Sequence, residues 1–430
     1  MLKAGAFISI SAAAGVTLAA VGALAQPVAL SAMAQLGKDM FFDRSLSGSG
    51  VMACASCHDP AHHFAPANDQ AVQIGGPYLS EPGIRATPSL TYRSFTPTFS
   101  VGPADEASEA GDATPMAAAN GAVSGGPAGP LGAAPPSTGK SGTDNAANMV
   151  PRGGMFWDGR VDTLQDQALG PLMSPFEMAN PDIATLAGKV RKSYGERIAQ
   201  LAGKTVLDDA QALVGEAGFA LARYQIEEQA FHPFNSRYDD YLAGKAALSE
   251  QEMRGLKVYE ERNKGNCADC HPNKAGADGS PPLFTDFQYE ALGAPRNMAI
   301  PANADPHYFD LGICGPMRDD DYAREKANCG LFKTPSLRNA AARGVFFHNG
   351  VFHSLDDVMR FYADRNTDPG RFYPKGADGV VMAYDDLPAQ YRGNIDVIDP
   401  PFDRKAGDRP VLNDQDIADL VAFLKTLTDR

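Results

Sequence analysis

The sequence predicts a mostly α-helical chain whose two halves repeat one plan. Three observations carry this expectation. Apolar residues recur every three or four positions over several long segments, no run alternates apolar and polar as a half-buried strand would, and one helix-loop-cysteine unit occurs twice.

In chain order, residues 1–25 come first, MLKAGAFISISAAAGVTLAAVGALA: a lysine, an Ala-rich apolar run and the small-x-small end Ala23-Leu24-Ala25. They read as a signal peptide that exports the chain to the periplasm, with an uncleaved anchor as the alternative. Residues 31–58 open with an amphipathic helix pattern and pass through a Ser/Gly loop to Cys54. Residues 101–148, dominated by Ala, Gly, Pro, Ser and Thr, cannot bury enough surface to offset their ordering entropy and read as a low-complexity insertion. Asn180-Pro181 reads as the cap of a helix carrying Ile183, Leu186, Val190, Tyr194, Ile198 and Leu201, and residues 209–226 continue the period. Residues 248–271 repeat the plan of 31–58, with Ser249 and Glu252 spaced as a capping box. A last helix, capped near Asn413, puts Ile417, Leu420, Val421, Leu424 and Leu427 on its buried face.

With 430 residues, 44% of them hydrophobic, the chain can build two cores or more. A net charge of −14 argues against a nucleic-acid partner, which needs a basic surface. After the leader no apolar stretch approaches the ~20 residues of a spanning helix.

The six cysteines pair by position. Cys54-Ala55-Ser56-Cys57-His58 and Cys267-Ala268-Asp269-Cys270-His271 both fit C-x-x-C-H, the pattern that attaches a c-type haem. Two thiols three apart bond the porphyrin edge, and the adjacent histidine ligates the iron. A structural zinc site would need two further ligands per motif, and a thioredoxin-like pair leaves both histidines unexplained. The expected cofactors are therefore two covalently bound haems. Cys314 and Cys329, in an exported chain, are expected to form a disulfide. His62 and His63 lie too close to His58 to reach the opposite haem face, while His348 and His353, in FFHNGVFHS, read as histidines that support a haem by hydrogen bonding.

The two C-x-x-C-H units, together with FWDGR, LQDQALGPL, SPFEMAN, KTPSLRN and FFHNGVFHSLDDVMRFY, resemble the di-haem cytochrome c peroxidase superfamily, and within it the MauG/MbnH-like branch. The resemblance implies two packed cytochrome c-like (class I) haem domains with long loops: residues 26–225 with a peroxide-reactive haem, and residues 226–430 with an electron-transfer haem. It implies that Glu177 is the catalytic acid, that Gln167 and Pro171 shape its pocket, and that Trp157, the only tryptophan, lies between the haems. On composition alone Trp157 would read as core.

Three departures place the chain within the family. Gly76, in QIGGPY, stands where the plain peroxidases carry a distal histidine, so the first haem should be open. Tyr362 stands where they carry an axial methionine, with Met359, one turn earlier, as the competing ligand. Tyr92 replaces the asparagine that binds calcium between the domains, whereas the carbonyls of Arg343 and Val345 still match; calcium is left open. The implied function is formation of a high-valent, bis-ferryl-type state with hydrogen peroxide, followed by oxidation of an exported partner protein at Trp or Tyr. The alternative is reduction of peroxide to water with electrons from a small cytochrome or cupredoxin.

Overall fold

The computed structural model describes residues 29–103, 149–276 and 279–430. The expected signal peptide, and all of the expected insertion but its first three residues, lie outside them. Among the described residues no helix is long and apolar enough to cross a membrane.

Two apolar cores organise the fold. In the first, α1 (Ala32–Phe41), α2 (Leu164–Met173), α3 (Ile183–Ala202) and α4 (Ala210–Glu227) bury Leu36, Met40, Phe41, Leu186, Val190, Ile198, Leu213 and Leu221. In the second, α5 (Arg237–Leu242), α6 (Glu250–Glu260), α7 (Cys267–Cys270), α8 (Leu355–Asp364) and α9 (Asp414–Lys425) gather Tyr259, Phe284, Val358, Leu420, Phe423 and Leu424. The helix starts follow local chemistry: Ser249 and Glu252 form the expected capping box, Ser354 caps α8, and Asn413 with Asp416 closes another box on α9.

One cap differs. Asp182, not Asn180, accepts the Thr185 N–H at 2.7 Å and begins α3. Asn180 is buried instead, its side chain donating to the carbonyls of Leu46 and Leu172 at 2.8 Å each. The strands are three two-stranded antiparallel pairs: β1 (Ile74–Gly75) with β2 (Glu81–Pro82), β3 (Ser100–Pro103) with β4 (Met149–Arg152), and β5 (Tyr289–Glu290) with β6 (Phe332–Lys333). At two to four residues they are too short to show an alternating pattern in sequence.

The repeat seen in the sequence recurs as a packing device. A Cβ on Gly37 of α1 would lie 1.9 Å from the Ala220 carbonyl oxygen of α4, and one on Gly255 of α6 would lie 2.0 Å from that of Asp419 on α9. In each half the helix leading to the cysteines crosses a later helix backbone to backbone. Gly37→Ala should therefore cost about 1–3 kcal/mol by overpacking despite its better helix propensity. Gly215→Ala, on α4 with open space around it, should be neutral or slightly stabilising. Urea unfolding of the two variants checks this, and equal stabilities would refute the crossing argument.

Candidate active site

Each cysteine unit folds so that its histidine and thiols face one cavity. The first turns through a 3₁₀ helix, Cys54–Ser56, with the His58 N–H donating to the Cys54 carbonyl at 3.0 Å. The second forms α7, with the same bond from His271 to Cys267 at 2.8 Å. The imidazoles are oriented alike: His58 Nδ1 lies 3.0 Å from the Phe64 carbonyl oxygen, and His271 Nδ1 lies 2.8 Å from that of Phe284. Burial pulls both rings down to about 4 despite these bonds, so each is neutral at ordinary pH. With the carbonyl fixing the proton on Nδ1, Nε2 keeps its lone pair for a metal. Burial raises the Cys54 and Cys267 thiols to about 12 and the Cys57 thiol to about 11.

The first cavity brings Cys54, Cys57 and His58 together with Gln167, Pro171 and Glu177. Gln167 and Pro171 come from α2, and Glu177 from the turn after it. Burial raises the Glu177 carboxyl above its ordinary range, opposed by the Ser174 hydroxyl and the Arg160 guanidinium. Gly75 and Gly76 run beneath this turn, the Gly76 N–H donating to the Glu177 carbonyl at 2.9 Å. Gly76 has φ +83°, and a Cβ there would meet Glu81 Cγ at 2.4 Å and the Pro175 carbonyl oxygen at 3.0 Å. A side chain does not fit at position 76 without displacing that turn.

The second cavity is larger, about 1670 Å³ with its open mouth included, against about 1280 Å³ for the first. It holds Cys267, Cys270, His271, Met359 and Tyr362, so both candidate axial residues on α8 face the same space. Burial raises the Tyr362 phenol well above its ordinary value, reinforced by Cys270 and Cys267 and opposed by Arg365. His348 also borders this cavity, stacked on Phe332 at 3.5 Å, with its buried Nε2 unpartnered and 3.9 Å from Asp386. His353 is exposed, as is His62, which pairs with Asp59.

Between the cavities lies the loop Met155–Val161, closed by the Met155 N–H on the Val161 carbonyl at 2.6 Å. Trp157 on this loop borders both cavities and the small cleft joining them. Its indole N–H donates to the Ala86 carbonyl at 2.9 Å, and its own carbonyl accepts from the Lys333 N–H at 2.9 Å. Asp158, fully buried, accepts from Arg85 at 2.7 Å and from Arg160 at 2.9 Å, and Arg85 reaches on to Asp310 at 2.6 Å.

These residues fit two haems. Besides the cysteines and neutral imidazoles, the cleft carries the Arg93 cation and the Lys333 amine, whose pKa burial pulls well below its ordinary value, with the Arg343 cation near Arg93. No carboxylate forms an ion pair with any of the three among the described residues, and burial pulls Arg93 and Arg343 down to about 10. Buried cations without counter-charges suit the propionates of a porphyrin. Calcium does not fit. The Tyr92 hydroxyl is spent on Asp429 at 2.7 Å, and the Val345 carbonyl accepts from the buried Arg343 guanidinium, a cation where a second cation would have to sit. Cys314 and Cys329 are disulfide-bonded away from both cavities' linings.

Sequence reasoning passed over Arg160, although it lies in the FWDGR motif, and it had no signal for Arg85 and Asp310, which are 225 residues apart.

Comparison with known proteins agrees with the geometry. The di-haem cytochrome c peroxidase family matches residues 31–247. The chain is 30% identical over 414 residues to the methylamine utilization protein MauG of Paracoccus denitrificans (strain Pd 1222), covering 93% of this chain and 89% of that one. To cytochrome c551 peroxidase of Nitrosomonas europaea it is 27% identical over 330 residues, covering 76% and 71%. Among solved structures it resembles the di-haem peroxidase BthA from Burkholderia thailandensis E264, with a TM-score of 0.75, 36% identity and coverage of 92% and 86%. On these matches the chain belongs to the di-haem cytochrome c peroxidase family and is a peroxidase-type oxidoreductase built around two haems.

Proposed function

We propose that the chain uses hydrogen peroxide to oxidise an exported partner protein at a tryptophan or tyrosine, with Trp157 passing electrons between the two haem sites. The observation that carries this reading is the place of Trp157, whose side chain borders both cavities. The haems, held by Cys54, Cys57 and His58 in residues 26–225 and by Cys267, Cys270 and His271 in residues 226–430, supply peroxide activation and storage of oxidising equivalents.

The chain's own residues do the rest. The Glu177 carboxylate takes a proton from the near oxygen of peroxide and returns it to the far one, so that water can leave. Gln167 and Pro171 hold the wall on which Glu177 sits. Gly76 has no side chain to offer as a ligand to the first haem. Tyr362 would ligate the second haem, and a metal-bound phenolate there would favour the oxidised metal. A periplasmic site is supported by the leader sequence and by the Cys314–Cys329 disulfide, which suits an oxidising compartment. Since Trp157 is the only tryptophan, the substrate residue must dock close to a haem edge or be reached through tyrosines.

A second reading, reduction of peroxide to water with electrons from a small cytochrome or cupredoxin, is favoured by the similarity to cytochrome c551 peroxidase. Robust turnover with reduced cytochrome c, and none with a Trp-bearing protein, would select it.

Three outcomes test the assignments. Because burial raises the Glu177 pKa, its base form accumulates only above the ordinary carboxylate range, and peroxide reaction should rise with pH through that value and then level. Glu177→Gln should flatten the profile and slow the reaction by about 10²–10⁴-fold, as stopped-flow mixing at several pH values would show. Trp157→Phe should keep both haems yet slow the peroxide-induced spectral change at the second haem by at least about tenfold, roughly 1.4 kcal/mol on the barrier; an unaltered rate returns Trp157 to a packing role. Tyr362→Phe should change the second haem's ferric spectrum and raise its reduction potential, whereas Met359→Leu should leave both as they are. The reverse pattern would make Met359 the ligand.

A further inference from the structure

We propose that Arg160 is an anion-holding residue of the first cavity, donating to the hydroperoxide anion that remains when Glu177 takes a proton from hydrogen peroxide. The proposal rests on Glu177 being that proton acceptor.

The case begins with position and spare valence. Arg160 borders the same cavity as His58, Gln167 and Glu177, close enough to Glu177 for their charges to act on one another. Its guanidinium is held without being used up. The group lies over the Phe156 ring at 3.6 Å, and Nη1 alone reaches the two Asp158 oxygens, at 2.9 and 3.0 Å. A guanidinium has five N–H donors, and among the described residues those on Nε and Nη2 have no protein partner. Arg85 borders the cavity too, but its Nε, Nη1 and Nη2 are all committed, to Asp310, Asp158 and Asp310 again, at 2.6–2.7 Å. Of the two arginines, Arg160 alone has a whole edge, Nε with Nη2, that no carboxylate occupies.

The backbone supports the same assignment. Phe156 has φ +65° and Gly159 φ +68°, so the loop presenting Arg160 passes twice through the left-handed region. A Cβ on Gly159 would fall 2.0 Å from the Tyr289 hydroxyl, so the turn is specified by its surroundings. Backbone held in this way marks sites where side-chain placement matters.

The chemistry balances without another reactant. One O–H bond of peroxide breaks, an O–H bond forms on the Glu177 carboxylate, and the electron pair stays on the peroxide oxygen. The negative charge moves from Glu177 to hydroperoxide and remains opposite Arg160. A fixed cation beside the new anion costs no reorganisation at the moment of transfer.

Fluoride, a small anion that binds an open ferric haem, probes this on the protein with both haems in place, by absorbance titration. Fluoride should bind the wild type together with a proton on Glu177, its affinity falling about tenfold per pH unit above that group's pKa. Arg160→Gln should weaken fluoride by about 10–100-fold at every pH, with haem content unchanged. Arg160→Lys, which keeps a cation for Asp158 but loses the fork, should fall between. Should the Gln variant fail to retain both haems, the Lys variant decides, and fluoride affinity equal to wild type in either overturns the proposal. The Glu177 reading fails separately: Glu177→Gln that retains the wild-type pH slope removes Glu177 as the proton acceptor, whatever Arg160 does.

Discussion

The buried carboxylate of Asp158 is the constraint on which the site depends. A charge taken out of water on all sides is tolerated only when opposite charges and hydrogen bonds surround it. Here Arg85 and Arg160 meet its two oxygens, Arg318 donates to its backbone carbonyl at 2.7 Å, and the combined pull keeps its pKa below the ordinary value in spite of burial. Asp310 continues the chain of charges, and Asp310 borders the second cavity as Arg160 borders the first. Trp157 precedes Asp158, so the same contacts that neutralise the aspartate fix the indole between the cavities. Loss of the carboxylate would release Arg160 and leave Arg85 on Asp310 alone.

The helical scaffold explains why the two cavities are alike on their cysteine-histidine side. Gly37 and Gly255 let the entering helix of each half touch a later helix at its backbone, which sets where the following cysteines emerge. The histidine then needs one carbonyl, from Phe64 or Phe284, to orient its ring. Orientation and tautomer come from the backbone, so the arrangement could be duplicated with little else in common.

This division also sets what was legible in the sequence. The cysteine units, the capping box at Ser249 and the cap at Asn413 are local patterns, each decided within a few residues, and the structure has them where the sequence puts them. Asn180 was misread because it competes with Asp182 two residues on; the aspartate holds the helix start, while tertiary contacts to Leu46 and Leu172 claim the asparagine. The two-residue strands carry no period to detect. The Arg85–Asp158–Arg160 cluster and its link to Asp310 join positions far apart in the chain, and no local rule selects those partners. Arg160 was in view within FWDGR, but an arginine is ordinarily a solvated charge, and only its unspent donors inside a cavity distinguish it.

With the same proximal set on both sides, the opposite walls must decide what each haem does. The first wall is polar: Glu177, Gln167 and Arg160 offer a proton acceptor and fixed donors. The second is aromatic, with Phe347 and Phe402 beside Tyr362 and Phe361 and Phe352 behind it. Two titratable groups of the same cavity are drawn toward neutrality, because burial pulls His348 down to about 4 and pushes Asp386 up to about 7. A wall of that kind suits holding a haem dry, with Tyr362 as the residue that would ligate it. On the proposed function, peroxide chemistry belongs with Glu177 and storage of oxidising equivalents with Tyr362, and a residue placed like Trp157, bordering both cavities, is what two tasks done in different cavities would require.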